Sequence, residues 1–323
     1  PQPLQDAGGW TNRDTAARFG EYVHTVVRAL GSGVHRWLTI NEPFIHSVLG
    51  HLLGIHAPGM RGVRPCLAAG HHLLLAHAEG MEALRAEMAP GDEAGIALDL
   101  AETAPASDSA ADLEAAERAD VYRNQWFLDP IFKGAYPAEL LRQFGADMPE
   151  IRPDDLRRIS QPIDFLGINH YQRAVVKHAL LVPPIQIMPT TPSGAPVTAA
   201  GWEVYPRGIY DTLTRVHRDY APRAIYITEN GAAYDDRPID GAIDDAERER
   251  FIHDYLLESL RAIEAGVPLR GYFVWSLLDN FEWNEGYRRR FGLVYVDFAT
   301  QRRTIKRSGR WYAQVTRDNG LAG

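Results

Sequence analysis

An α/β fold on a parallel sheet is predicted for this chain, of the (β/α)8 TIM-barrel type but with about five of the eight strands present. Three observations lead there. Apolar strand-like runs alternate with amphipathic helical stretches, and no two runs lie at hairpin spacing, which is the pattern of successive βα units. No G-x-G-x-x-G follows any strand, so a doubly wound dinucleotide fold lacks its fingerprint. Two strands end in a glutamate, and α/β proteins keep their chemistry at the carboxyl ends of parallel strands.

Asn12 to Leu30 reads as the first helix, with Asn12 as N-cap, apolar residues at Phe19, Tyr22, Val23, Val26 and Leu30, and Gly31-Ser32-Gly33 as its stop. The first strand runs from Val34 to Asn41. Pro43 ends it by removing a ladder donor, so Asn41 and Glu42 are delivered at its tip. His46 to Gly59 reads as a Gly- and His-rich loop, Cys66 to Met88 as a helix, and Gly95 to Leu100 as the second strand. Ala106 to Asn124 is expected to be helical and Phe165 to Tyr171 to be the third strand. The Pro-rich stretch Leu181 to Gly201 reads as a long irregular excursion. Tyr210 to Tyr220 is a helix, Ala224 to Gly231 the fourth strand, Asp244 to Ala265 a helix capped by Gly266, and Gly271 to Leu277 the fifth strand. Residues 1–323 are expected to form one catalytic-type domain.

The formal net charge is −8 and the isoelectric point about 5.8, which excludes the basic footprint of a nucleic-acid binder. Arg288-Arg289-Arg290 and the later Arg302-Arg303 and Lys306-Arg307 read as solvated loop charge. Cys66 is the one cysteine, which rules out an internal disulfide and suits a reducing, cytoplasmic setting. No apolar run reaches membrane-spanning length. The opening Pro1-Gln2-Pro3-Leu4 has neither an initiator Met nor a targeting pattern, so a cut or processed start is expected and an earlier signal peptide stays open. His71, His72 and His77 lack the spacing and carboxylate of a zinc motif, so no metal and no organic cofactor is expected.

A barrel would bring Glu42 and Glu229 to one mouth. A pair of carboxyl groups is what retaining glycoside hydrolysis uses, one as nucleophile and the other as acid and then base. Two unrelated strand-end carboxylates would give the same local pattern, and periodicity does not separate the two readings.

Thr39-Ile40-Asn41-Glu42-Pro43 and Ile227-Thr228-Glu229-Asn230-Gly231 resemble the paired signature of family 1 glycoside hydrolases, the β-glucosidases and their relatives. Ala7-Gly8-Gly9-Trp10, His56-Ala57-Pro58-Gly59, Trp126-Phe127-Leu128-Asp129-Pro130, Phe165-Leu166-Gly167-Ile168-Asn169, Phe281-Glu282-Trp283 and Arg290-Phe291-Gly292 extend the resemblance along essentially the whole chain. It implies Glu42 as acid/base and Glu229 as nucleophile, with Asn41 on the sugar 2-hydroxyl. Tyr171 would donate to the nucleophile, and Asn169 and Phe291 would line the same pocket. Trp275 would form the apolar platform under the ring. Glu282 and Trp283 would hold the hydroxyls at the closed end, and Trp202 would line the aglycone entrance. Core packing is the expectation for Trp126. The implied substrate is a small, unphosphorylated β-glucoside or oligosaccharide.

The resemblance also implies strands four to eight only, without the family's sugar-binding Gln and His from the first and third strands. Three outcomes are then expected: a β-glycosidase whose N-terminal third is absent, an inactive sugar-binding or assembly remnant, or one fragment of a two-chain enzyme. Open sheet edges would favour self-association.

Overall fold

The computed structural model describes residues 1–181 and 185–321. Five parallel strands form the main sheet: β1 (Arg36–Asn41), β2 (Glu93–Asp99), β3 (Phe165–Asn169), β4 (Ile225–Asn230) and β5 (Leu269–Val274). They pair in chain order, β1-β2-β3-β4-β5, with no reversal. A doubly wound sheet reverses its strand order at a switch point, whereas a barrel adds strands always on the same side. The sheet is therefore an arc of barrel type, and its outer strands β1 and β5 each have a free edge among the described residues.

That edge explains the burial of the strands. Every residue of β3 is buried, as are six of the seven in β2, because neighbours and helices cover both faces. In β1 only Ile40 is buried, and in β5 no residue is. Leu38 is 41% and Phe273 57% exposed, large apolar side chains on the two strands that lack one neighbour.

Helix α1 (Asp14–Leu30) precedes β1, the crossovers include α2 (Val63–Glu87), α3 (Ala110–Asp120), α4 (Trp126–Lys133), α5 (Arg207–Tyr220) and α6 (Ala246–Glu264), and α7 (Arg307–Asp318) follows β5. α1 begins two residues later than expected. Asn12 accepts from the Asp14 N–H at 3.0 Å as an Asx turn before it. Its buried stripe is Ala16, Val23 and Val27, while Tyr22 and Leu30 face out. α2 is longer than expected because Pro65 is tolerated in a first turn, where no N–H is required. α3 starts only at Ala110, with the Ser109 hydroxyl accepting from the Asp112 N–H. The stretch before it spends Thr103–Pro105 as a short strand. Pro43 does not merely end β1: it opens a helical turn, Pro43–Ser47, that continues through Val48–Leu52, so the first part of the expected His-rich loop is helical.

Two small antiparallel pairings were not readable from spacing: Ala174–His178 with Ile187–Pro189, and Val294–Val296 with Arg303–Ile305. Both use three-residue ladders, too short for a period-two pattern to register. The first organises part of the excursion expected to be irregular; residues 182–184 of that stretch lie outside the described residues. Trp126 is buried, with its ring against Gly70, where a Cβ would meet the ring at 2.5 Å. His71 is also internal, bonding Tyr136 and Asp155, and His77 meets Thr39, so these histidines serve the core. No metal-binding group occurs among the described residues.

The basic runs divide between buried and exposed charges. Lys306 is fully buried and bridges Asp236 and Asp279, while Arg290 pairs with Asp279 at 2.6 Å. Arg248 joins the cluster through Asp236 and Asp245. Three cations meet three carboxylates, so Lys306 and Arg290 are structural counterions rather than solvated loop charge, whereas Arg288, Arg302, Arg303 and Arg307 are exposed as expected. Charge alone does not say whether a carboxylate from elsewhere in the fold will cover it. Lys306→Met leaves Asp236 and Asp279 short of a buried cation, and a loss of about 3–5 kcal/mol is expected in denaturant unfolding. An unchanged midpoint and slope would refute the structural role.

Candidate active site

The strand register decides what meets at the carboxyl end of the sheet. Asn41 lies opposite Ala97, Asp99 opposite Asn169, Asn169 opposite Glu229, and Asn230 opposite Val274. Four adjacent strands thus bring Glu42, Asp99, Asn169 and Glu229 to one layer, with Trp275 directly after the fifth. Irregularities in register precede Asn41, Asn169 and Asn230, which lets the strand ends depart from regular alternation where the polar residues gather.

Glu42 follows β1 with φ 50° and ψ 59°, in the left-handed region that a residue with a Cβ rarely adopts. The Ala97 carbonyl accepts its N–H at 2.9 Å, and Pro43 starts the next turn at once. Asn169 is fully buried, and its amide donates to Asn41 Oδ1 at 3.0 Å and to Glu42 Oε1 at 2.8 Å. Its own oxygen accepts from the Thr228 hydroxyl at 2.6 Å. The Tyr171 hydroxyl donates to Glu229 Oε2 at 2.6 Å.

Trp202 packs edge-on against Tyr171 at 5.2 Å and lies 5.7 Å from Phe291, which is buried. Those rings back the phenol that holds Glu229. Trp275 and Glu282 are half-buried, with the indole N–H donating to Glu282 Oε2 at 3.4 Å. Trp283 is 61% exposed and stacks on His56, centroids 6.0 Å apart. All the residues expected at the site therefore stand at the strand ends or on the loops that leave them.

The two glutamates differ in environment. Glu42 is pushed up to about 8 by burial and by the charges of Asp99 and Glu229, against the Asn169 amide and Arg123. Glu229 is also raised by burial, but the phenol of Tyr171 donates to its ionised form and opposes the shift. Burial raises Glu282 as well. The members that sequence reasoning missed are Asp99 and its partner Arg123, joined at 2.7 Å. A signal existed: Asp99 is a strand-end carboxylate like Glu42 and Glu229. Extending the strand to Leu100 hid it.

The family model for glycosyl hydrolase family 1 matches residues 1–321. The chain belongs to that family. Beta-glucosidase A of Acetivibrio thermocellus is 44% identical over 99% of this chain and 72% of its own length, and Beta-glucosidase A of Thermotoga maritima is 43% identical over the same shares. A solved family 1 β-glucosidase from Thermotoga maritima superimposes with a TM-score of 0.95 at 42% identity, covering 100% of this chain and 72% of that one. A structure described as the Thermotoga maritima β-glucosidase in complex with deoxynojirimycin matches at 0.96. The five-stranded arc is thus the family's barrel type over the length they share, and the chain is β-glucosidase-like. No helix among the described residues is long and apolar enough to cross a membrane.

Two outcomes follow from the electrostatics. Removing the phenol in Tyr171→Phe should raise the titration of Glu229, because its ionised form loses a donor; carboxyl 13C NMR reads it directly. Glu42, held above its unfolded value of 4.5, binds a proton in the folded state that the unfolded chain releases. Its contribution to stability therefore falls as pH rises from about 4.5 to about 8 and then levels. Glu42→Gln should melt higher than the parent, with a gap that widens between pH 5 and 8. A constant gap would contradict the raised titration.

Proposed function

We propose that this chain carries the active centre of a retaining β-glycosidase for unphosphorylated β-glucosides, with Glu229 as nucleophile and Glu42 as acid/base. The unequal environment of the two carboxylates is the observation that carries the reading. Glu42 is held protonated near neutral pH, whereas Glu229 has a phenol donating to its ionised form. Retaining hydrolysis needs that division of roles.

In the first step a Glu229 oxygen attacks the anomeric carbon while the glycosidic C–O bond breaks, and the Glu42 proton passes to the leaving oxygen. In the second, water attacks the same carbon, Glu42 takes its proton, and the ester to Glu229 breaks. Asn41 holds the 2-hydroxyl in this scheme. Its oxygen already accepts from Asn169, which leaves the amide N–H groups free for the sugar. Trp275 presents an apolar face to the ring, Glu282 accepts from two hydroxyls, and the Trp283 indole donates to another. Asn169 holds Asn41 and Glu42, and Phe291 and Trp202 back Tyr171, while Asn169 and Phe291 line the pocket and Trp202 the aglycone entrance. The deoxynojirimycin complex of the related Thermotoga maritima protein supports a glucose-like ligand. The reading involves no cofactor.

One observation favours a second reading, a sugar-binding chain without turnover: β1, which delivers Glu42, has no neighbour on one side among the described residues. A strand without that support holds its tip less firmly, and a displacement of an ångström at a catalytic group is costly. Hydrolysis of an aryl β-glucoside, followed beside calorimetric binding of deoxynojirimycin, separates the two. Turnover that falls roughly a thousandfold or more in Glu229→Gln is the expected result. Binding with no turnover would replace the first reading by the second, and turnover untouched by that substitution would remove Glu229 from its role.

A further inference from the structure

Asp99 has no part in the reaction just described, yet it is buried beside it. It is the last residue of β2, 5% exposed, and stands opposite Asn169, whose amide touches Glu42 Oε1 at 2.8 Å. Its carboxylate accepts from Arg123 Nη2 at 2.7 Å. Arg123 comes from the turn Val121–Gln125 that follows α3, and its guanidinium lies over the ring of Phe44 at 5.2 Å, two residues beyond Glu42. The Arg123 Nε–H is buried and has no partner among the described residues, and one carboxylate and one ring hold this cation in place. A buried charge acts strongly on a neighbour because little water screens it.

We propose that the Asp99–Arg123 pair, with Asp99 buried opposite Asn169, whose amide touches Glu42, sets the proton occupancy of Glu42: the charge of Asp99 keeps the proton on, and Arg123 favours that charge while limiting its effect. Asp99 and Arg123 are thus positioning residues acting through Glu42. The link to turnover rests on the acid/base reading of Glu42, but the electrostatic coupling does not.

The groups bearing on Glu42 come from every strand around it. Asp99 on β2 and Glu229 on β4 disfavour its charge, while Arg123 and the Asn169 amide favour it. Tyr171 also faces it, and burial and the two glutamates hold that phenol well above its usual range, hence neutral. His170, buried near Arg123, is pushed down to about 4 by burial and adds no charge at neutral pH. Burial raises Asp99 itself, and the 2.7 Å ion pair with Arg123 opposes that rise. Among the described charged residues, then, Asp99 and Arg123 are the pair whose removal changes the field on Glu42 without touching either glutamate.

The test is carboxyl 13C NMR titration of the 323-residue chain labelled at Asp and Glu, with the Glu42 signal assigned by its loss in Glu42→Gln. Asp99→Asn removes a repelling charge and leaves Arg123 unpaired toward Glu42; both changes act in one direction. The Glu42 titration should fall by about one unit or more. Adding Arg123→Gln to that variant should return much of the shift. Arg123→Gln alone should move Asp99 upward toward neutrality, which provides a second reading if Asp99→Asn folds poorly. A Glu42 titration that stays put in a folded Asp99→Asn, or an Asp99 that does not move when Arg123 is replaced, overturns the proposal. Failure of the acid/base reading looks different: turnover would survive Glu42→Gln while the titration shifts still occurred. Where turnover is measured, Asp99→Asn should draw the alkaline limb of kcat/KM to lower pH by the same shift, a change that mere loss of packing does not produce.

Discussion

The amide of Asn169 joins groups that the chain delivers 127 and 59 residues away, Glu42 on one side and Thr228 on the other. It is fully buried at the end of the central strand, and each of its polar atoms has a partner. An unpaired amide there would cost about 1–3 kcal/mol, so the ends of β1, β3 and β4 are held in one relative position. The register of the sheet brings them near. The amide then fixes which atoms face which.

That arrangement crowds acidic groups. Glu42, Asp99, Glu229 and Glu282 all have their charged forms disfavoured by burial, and Arg123 is the cation that opposes this at Glu42 and Asp99. Such a site works against folding, as does the left-handed backbone at Glu42. Both features make sense where a carboxyl group must keep a proton near neutral pH. The surrounding core supplies the stability that they cost, with α2 packed against α1 and behind β1 and β2.

A second set of buried charges works in the opposite sense. Asp279 accepts from Arg290, from Lys306 and from the backbone N–H groups of Gly292 and Val296. These contacts tie the start of the loop after β5 to its return, and Trp275, Glu282, Trp283 and Phe291 all lie on or beside that loop. Here the carboxylates are fully matched by cations. At the mouth of the sheet they are not, and the contrast separates a charge-balanced cluster from one left acidic.

Much of this was legible in the sequence for a simple reason. A buried parallel strand needs a continuous apolar run, and a polar residue at its end is conspicuous, so the strands carrying Glu42, Asn169 and Glu229 and the barrel type could be read directly. Helix limits shifted by a few residues because capping depends on local hydrogen bonds, as at Ser109. What only the tertiary structure decided was pairing. Nothing in Lys306 announces Asp236 and Asp279, and nothing in Asp99 announces Arg123 or its place beside Glu42. Whether a charge is solvated, neutralised or left to act on its neighbour depends on what other parts of the chain bring within a few ångströms, and local sequence contains no record of that.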